Sequence, residues 1–181
     1  MEKIMLDLET LGTGTDSVIV AIGAVKFDMR KGLGEEFYTT IDIDSSLNHG
    51  LRVNGDTIKW WMNQSEEARA VFADTSLALP LALDRFTAFV DTSSMEVQMW
   101  GNGSDFDCAI LAHAYRVAGH RQPWKFYNSR CYRTLKNMML HIRMGVRSGT
   151  HHNALDDART QAEHAVRLLR EQNRLRGIPL D

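Results

Sequence analysis

The first 43 residues of the chain alternate apolar, β-branched stretches with short glycine-containing turns. Residues 3–8 end at the turn Leu11-Gly-Thr-Gly-Thr, residues 17–28 form a second stretch, and residues 36–43 follow a break at Arg30-Lys-Gly-Leu-Gly. These connections are too short for crossover helices. We therefore expect an antiparallel meander of three strands.

After this region the periodicity becomes helical. Capping residues, apolar spacing and terminal glycines predict short helices over 56–62 and 65–72, a helix over 79–90, a fourth strand over 97–100, a helix over 107–117, a fifth short strand at 125–127 and a long helix over 153–176. Three strands followed by alternating helices and strands predict an α/β fold. Its sheet is mixed, with three antiparallel strands and additional parallel ones.

The composition favours one globular domain over residues 1–181, because 181 residues with 44% hydrophobic content can bury a single core. No apolar stretch is long enough to span a membrane, and the first residues lack the layout of a signal peptide. The two cysteines, Cys108 and Cys131, are too few for a disulfide framework and lack the spacing of zinc ligands. We therefore expect a cytoplasmic protein with reduced thiols and no membrane partner.

The net charge of −2 conceals an uneven distribution of charged residues. Residues 1–115 contain 8 basic and 18 acidic side chains, whereas residues 116–181 contain 13 basic and 5 acidic ones. A protein that binds a polyanion needs local positive charge, not a positive total. The basic half fits a nucleic-acid surface or a solvated helix, and the acidic half fits a metal site or an ordinary polar surface.

A pair of acidic residues, Asp7 and Glu9, ends the first predicted strand. Alternate residues of a strand share a face, so both carboxylates point to one side and Leu6 and Leu8 to the other. Neighbouring carboxylates repel each other, and a hard divalent cation such as Mg²⁺ or Mn²⁺ removes that repulsion. Taken alone, such a pair is more often two exposed acids than a metal site.

A second acidic residue, Asp107, begins the helix after the fourth strand and the turn Gly101-Asn-Gly-Ser. Open α/β sheets place their ligand sites at such helix starts. An aspartate there also caps a helix well, with a contribution of about 1 kcal/mol, and Asp105 or Asp107 suits that role. From this segment alone, capping is the favoured interpretation.

The third group is Thr150-His-His-Asn-Ala-Leu-Asp-Asp, at the start of the last helix. Asn153 and Asp156 have the spacing of a capping box. Asp157 is then available for a site, and His152 lies in the loop before the cap. A histidine in this position is usually a surface residue, but beside a metal it suits a general base, because its pKa lies near the operating pH.

Together the three groups resemble the motifs of the DnaQ-like family of 3′→5′ exonucleases, of the DEDDh type. The family motifs D-x-E-T, F-D before apolar residues, and H-x-A-x-x-D correspond to Asp7-Leu-Glu-Thr, Phe106-Asp-Cys-Ala-Ile-Leu and His152-Asn-Ala-Leu-Asp-Asp. The sister type has tyrosine where this chain has Asn153, which supports the histidine type. The resemblance implies an RNase H-like fold.

Residues 57–69 and 152–158 are further similar to a compact subgroup, the phage exonuclease A and mycobacterial-type 3′–5′ exoribonucleases. One position departs from the family pattern. The middle motif often has asparagine four residues before its aspartate, whereas Asn102 lies five residues before Asp107. The acid assignment is unaffected, because the competing Asp105 lacks the preceding phenylalanine of the motif.

The resemblance implies a catalytic site of five residues and two divalent cations, Mg²⁺ or Mn²⁺, roughly 3.5–4 Å apart. Asp7 would bridge the cations, Glu9 and Asp157 would hold the one that activates water, and Asp107 would support the other. His152 would accept the proton of the attacking water. The product would be a nucleoside 5′-monophosphate.

The resemblance also assigns substrate contacts. A backbone amide near Thr10 would meet the 3′-hydroxyl, and Leu11 would lie against the base or sugar. Trp60 and Trp61 point about 100° apart on a helix, so one is expected in the core and the other is a candidate for base stacking; packing of both in the core is an equal alternative. Candidate phosphate contacts, which the basic half supplies, are Arg130, Arg133, Lys136, Arg143 and Arg147.

The expected partner is therefore nucleic acid with a free 3′ end, and a homodimer is compatible with the family, since many relatives dimerise. No residue type signals a contact to the 2′-hydroxyl, so DNA and RNA are both candidate substrates. Two other functions stay open. One is an endonuclease of the same fold, which would space its acids differently, and the other is a catalytically silent nucleic-acid-binding module, which the presence of all five residues disfavours.

Overall fold

A five-stranded mixed sheet forms the centre of the computed structural model, which describes residues 1–90, 96–146 and 149–179. The strands are β1 (Lys3–Thr10), β2 (Ile19–Asp28), β3 (Gly32–Thr40), β4 (Gln98–Gly101) and β5 (Ser129–Cys131). Their order is β3-β2-β1-β4-β5; the first three are antiparallel, and β4 and β5 run parallel to β1. The α/β prediction with a mixed sheet is confirmed.

The helices flank this sheet: α1 (Ile43–Asn48), α2 (Gly55–Met62), α3 (Glu66–Arg69), α4 (Leu79–Phe89), α5 (Asp107–Val117), α6 (Tyr132–Met138) and α7 (Ala154–Leu175). Short 3₁₀ turns follow α3 at Ala70–Phe72 and precede β5 at Phe126–Asn128. Among the described residues, no helix combines the length and the apolar character needed to cross a membrane.

Alternate residues of β1 contribute to two hydrophobic cores, one on each face of the sheet. Ile4, Leu6 and Leu8 are buried in the core that includes α4 and α5. Met5 is buried in the opposite core, with α6 and α7. Because side chains alternate along a strand, Asp7 and Glu9 continue the face of Met5. The first turn of α7 therefore lies on the same side of the sheet as both acids.

The long helix α7 approaches the sheet closely where it begins. A β-carbon at Gly23 of β2 would overlap the backbone of Ala154 and Leu155. Glycine at this position therefore allows the start of α7 to lie against the strand. This contact sets the position of the start of α7 on the sheet, and with it the positions of His152 and Asp157.

Two of the predicted strands were placed wrongly. The third was expected over 36–43 but ends at Thr40, because Asp42 caps α1 by accepting a hydrogen bond from the Ser45 amide. The fifth was expected at 125–127, where the chain forms a 3₁₀ turn with the Phe126 side chain 80% exposed. The strand that pairs with β4 comes later, because the main-chain pairing begins at Ser129 opposite Met99.

Candidate active site

The acids of the first motif lie at the carboxyl end of β1. Glu9 is buried, Asp7 is partly buried, and the pairing with β2 changes register between Glu9 and Thr10. Such irregularities redirect side chains and are common beside active sites. The Oδ1 atom of Asp7 accepts a hydrogen bond of 2.7 Å from Nε2 of Gln161 on α7.

Asp107 joins these acids from the first turn of α5. Its side chain is 3% exposed, and its Oδ1 atom accepts a hydrogen bond of 3.2 Å from the Leu8 amide, between the two acids of β1. The helix cap is Phe106, without a side-chain capping bond. The capping interpretation of Asp107 is therefore wrong, and the competing Asp105 is exposed to solvent. Tertiary contact with β1 outweighs the local capping preference.

His152 and Asp157 complete the group from the start of α7. One ligand atom each of Glu9, His152 and Asp157 lies within 4.8 Å of the others, and both acids are buried. The backbone of His152 has φ 62°, a left-handed conformation that costs a non-glycine residue about 1–3 kcal/mol. The His152 ring packs edge-on against Trp60, with centroids 4.8 Å apart. These contacts hold the imidazole at the edge of the acidic group.

Asp156 stabilises the loop that carries His152. Asn153 caps α7 as predicted, accepting bonds from the amides of Leu155 and Asp156. The carboxylate of Asp156 does not return to the cap, as the predicted capping box requires; its Oδ2 accepts from the Thr150 amide at 2.8 Å. Arg159 binds its other oxygen and forms a bidentate pair with Glu36 of β3. The loop is thus tied to the helix and to the sheet.

Burial raises the pKa of two of these carboxylates, those of Asp7 and Asp107. Burial raises the pKa of Asp7 well above its usual value, and charge repulsion raises it further, in order from Asp107, Glu9 and Asp157. Burial also raises the pKa of Asp107 to about 7, although backbone hydrogen bonds oppose the shift. Carboxylates in this arrangement favour protons or a bound cation over the ionised, cation-free form.

The group opens into a cleft of about 760 Å³, with the following lining: Asp7, Leu8, Glu9, Thr10, Gly12, Thr13, Asn54, Asp56, Thr57, Trp60, Trp61, Asn102, Phe106, His151, His152, Asp157 and Gln161. None of these described lining residues is a lysine or an arginine. A phosphate entering this cleft would meet acidic side chains. The carboxylate oxygens are donors that suit a hard divalent cation.

A family described as the 3'-5' exoribonuclease Rv2179c-like domain matches residues 2–169 of the chain. The chain belongs to this family. It is a metal-dependent 3′→5′ exonuclease of the DnaQ-like group.

Individual relatives agree with this assignment. The exonuclease is 27% identical over 169 residues to the exodeoxyribonuclease of Enterobacteria phage T4, covering 79% of this chain and 74% of the phage protein.

Two solved structures share the fold at 14% identity. One is the nuclease domain of 3'hExo, a DEDDh family member bound to rAMP, with a TM-score of 0.63 and coverage of 94% of this chain and 92% of that one. The other is E. coli exonuclease I in complex with a dT13 oligonucleotide carrying a 5cy label, with a TM-score of 0.67; it covers 96% of this chain, which spans 42% of that protein. The expected RNase H-like fold is confirmed.

The predicted substrate residues of the exonuclease occupy different environments. Trp61 is buried and donates its Nε1 hydrogen to the carbonyl of Thr10 at 2.9 Å, whereas Trp60 is 43% exposed at the cleft. Thr10 lines the cleft beside Glu9. The Leu11 side chain is buried, and its amide donates to the carbonyl of Val18. Of the two tryptophans, only Trp60 is exposed to solvent at the cleft; its contact with substrate stays a prediction, as does that of Leu11.

None of the predicted phosphate contacts that the structure describes lines the cleft. Arg133 donates to the carbonyl of Asn102, a cleft residue, at 2.6 Å. Arg130 binds backbone carbonyls of its own turn, and Lys136 lies over the ring of Tyr132. Arg143 is exposed, and Arg147 lies outside the described residues. Arg133 is therefore the candidate placed nearest to the acids.

Gln161 was missed by the sequence reasoning, although it contacts the first acid. It lies four residues after Asp157 on α7, a spacing that places two side chains on the same helix face. That spacing could have identified it as a neighbour of the site. Its bond to Asp7, 154 residues away in the chain, has no local signal.

Proposed function

We propose that this exonuclease cleaves the 3′-terminal phosphodiester bond of nucleic acid with two divalent cations, Mg²⁺ or Mn²⁺, and releases nucleoside 5′-monophosphates. The observation that carries the proposal is the convergence of Glu9, His152 and Asp157, whose ligand atoms lie within 4.8 Å of one another in the cleft. Asp7 lines the same cleft, and Asp107 accepts a hydrogen bond from the amide of Leu8, which also lines it.

The residues fit such cations for two reasons. The donors are hard oxygen atoms, which Mg²⁺ and Mn²⁺ prefer. Burial raises the pKa values of both Asp7 and Asp107, and repulsion from the neighbouring acids raises that of Asp7 further, so a bound cation would stabilise their ionised forms. Asp7, Glu9, Asp107 and Asp157 would hold the cations.

When bound, the cations supply charge neutralisation at the scissile phosphate and a lowered pKa for water. The imidazole of His152 takes a proton from the attacking water while the water oxygen forms a bond to phosphorus. The bond from phosphorus to the 3′-oxygen of the preceding nucleotide breaks, and that oxygen takes a proton from solvent. The shortened strand then carries a new 3′-hydroxyl.

The walls of the cleft suit the terminal nucleotide. The exposed Trp60 offers a surface for stacking, a contact worth about 1–3 kcal/mol per base. Thr10 lies between the acids and the tryptophans, where the free 3′ end would bind. Arg133, next to Asn102, is placed to meet the phosphate of a preceding nucleotide.

The test is digestion of matched RNA and DNA strands, each labelled at the 5′ or the 3′ end, with Mn²⁺ or Mg²⁺. A ladder of 5′-labelled products that shortens stepwise, with release of mononucleotide from the 3′ label, supports the proposal. Internal fragments at the earliest times would support an endonuclease, and an intact strand would support a silent binding module. Comparing the two strands also tests which sugar is preferred, since relatives include an exoribonuclease family and a phage exodeoxyribonuclease.

Three variants assign the residues. Asp7→Ala should abolish cation binding and lower turnover by orders of magnitude, and His152→Ala should slow turnover while leaving cation affinity nearly unchanged. Asp105→Ala is the matched control, because Asp105 is exposed two residues from Asp107, and it should retain activity. Activity in Asp7→Ala would overturn the assignment, and loss of cation affinity in His152→Ala would make His152 a ligand.

A homodimer is the remaining part of the proposal, and it rests on the dimers that many relatives form. Sedimentation of the purified chain across a range of concentrations measures it. A monomer at all concentrations would remove this part without affecting the chemistry.

A further inference from the structure

Only the nitrogen of the Gln161 side-chain amide takes part in a described hydrogen bond. Its side chain is 5% exposed, and its Nε2 atom donates a hydrogen bond of 2.7 Å to Oδ1 of Asp7. Its Oε1 atom is buried and has no hydrogen-bond partner among the residues that the structure describes, although Gln161 lines the cleft. A buried amide oxygen without a partner loses its hydrogen bonds to water and gains none in return. An unpaired acceptor beside an acidic group therefore calls for an explanation.

The direction of the amide follows from its partner. With a cation bound, the Asp7 carboxylate is ionised and can only accept hydrogen bonds, so the nitrogen of Gln161 must face Asp7 and the oxygen must face away, as the structure places them. The opposite orientation would bring two acceptors together. The bond to Oδ1 fixes the plane of the Asp7 carboxylate and leaves the other oxygen for a different partner.

We propose that Gln161 is a positioning residue that orients the Asp7 carboxylate for cation binding and offers its own Oε1 as a second acceptor in the cleft. This inference rests on the proposed function. The water that accompanies a hydrated cation is a suitable donor to Oε1, since Mg²⁺ retains several of its waters in protein sites. Gln161 does not itself coordinate the cation.

The position of Gln161 makes this role effective. It lies four residues after Asp157 on one rigid helix, so the same element supplies one acid of the site and orients another. Partners that orient metal ligands commonly contribute a factor of about 10–100 in metal affinity or activity. A purely structural glutamine would instead contribute to the stability of α7.

The experiment measures Mn²⁺ binding directly, by calorimetry without nucleic acid, for the wild-type chain and Gln161→Met. Methionine has a similar length and no amide, and it fills buried space readily. We expect Mn²⁺ affinity to fall about tenfold. In turnover assays the half-saturating Mn²⁺ concentration should rise by a similar factor, while the rate at saturating Mn²⁺ falls less. Thermal unfolding without metal should stay within a few degrees of wild type.

Gln172→Met is the matched control, since Gln172 lies on the same helix about three turns away from the site. Unchanged Mn²⁺ affinity in a folded Gln161→Met would overturn the inference, as would an equal loss in Gln172→Met. If Gln161→Met does not fold, Gln161→Leu, with a similar helix propensity and also no amide, is measured in the same way. A wild-type chain that binds no Mn²⁺ would count against the proposed function instead, so the two failures are distinguishable.

Discussion

The Asp107 carboxylate accepts a hydrogen bond from the main-chain amide of Leu8, 99 residues earlier in the chain. The pairing of β1 with β4 ends at Leu6 and Gly101, so this amide lies beyond the last rung of the parallel ladder. A side chain from α5 thus supplies the hydrogen-bond acceptor that β4 no longer provides at this position. The same bond fixes Asp107 between the two acids of β1, which couples the end of the sheet to the geometry of the site.

This bond separates two roles of Asp107 that substitution can distinguish. Asp107→Asn keeps an oxygen for the Leu8 amide and loses the negative charge, whereas Asp107→Ala loses both. We expect both variants to lose activity by orders of magnitude. In urea unfolding without metal, Asp107→Ala should be less stable than Asp107→Asn by about 1–3 kcal/mol, because a buried amide is left unpaired. Equal stability of the two variants would contradict the structural role.

Substitution of Gly23 should disturb catalysis by displacing the start of α7. In Gly23→Ala the new methyl group overlaps the backbone of Ala154 and Leu155, so the start of the helix must move away from β2. Overpacking of this kind costs about 1–3 kcal/mol, and a displacement of about 1 Å at the site costs about 10²-fold in turnover. Turnover and thermal unfolding measure both effects.

The control for Gly23 is Gly55→Ala, at the first residue of α2. A β-carbon there meets no atom within 4 Å, so activity and unfolding temperature should match wild type. Wild-type turnover in Gly23→Ala would mean that the start of α7 can move without consequence for His152 and Asp157.

The stability of the metal-free protein should fall as the pH rises. The pKa of Asp7 in the folded state is raised well above its ordinary value of 3.8, and that of Asp107 is raised to about 7. Between about pH 4 and pH 7 the folded state therefore binds more protons than the unfolded state. The free energy of unfolding is highest below about pH 4 and falls as the pH rises towards about 7. Asp7→Asn, which removes one buried charge, should raise the unfolding temperature at pH 7 by about 2–4 °C for each kcal/mol relieved.

Thermal unfolding with EDTA and with Mn²⁺ at pH 5 and pH 8 checks this linkage. Metal requires deprotonated ligands, so Mn²⁺ should stabilise the wild type more at pH 8 than at pH 5. It should have little effect on Asp7→Asn at either pH. A metal-free wild type that grows more stable from pH 5 to pH 7 would contradict the assignment of buried, repelling acids.

The parts of this structure that follow from local patterns were predictable from sequence. Alternation along β1 placed Asp7 and Glu9 opposite Leu6 and Leu8, as found, and the spacing of Asn153 identified the start of α7. The rest depends on contacts distant in the chain.

Three features illustrate that dependence. The role of Asp107 is decided by an amide of β1, and the strand at 129–131 is decided by β4, not by its own propensity. Helix α6 is capped by the thiol of Cys131, which accepts from the Thr134 amide and is an unusual cap.

Two roles are compatible with the position of Trp60: stacking on the terminal base, and support of the His152 ring. One kinetic measurement distinguishes them. Its ring is 43% exposed and packs edge-on against His152. If it stacks on the terminal base, Trp60→Ala loses about 1–3 kcal/mol of binding, and KM for a short oligonucleotide rises about 5–150-fold with kcat little changed. If it acts only by holding the His152 ring, kcat falls and KM stays. We expect the rise in KM. Trp60→Phe should restore most of the affinity, because it restores an aromatic face. The control is Phe126→Ala, since Phe126 is an exposed aromatic residue outside the lining of the cleft. An unchanged KM in Trp60→Ala would remove Trp60 from the substrate contacts.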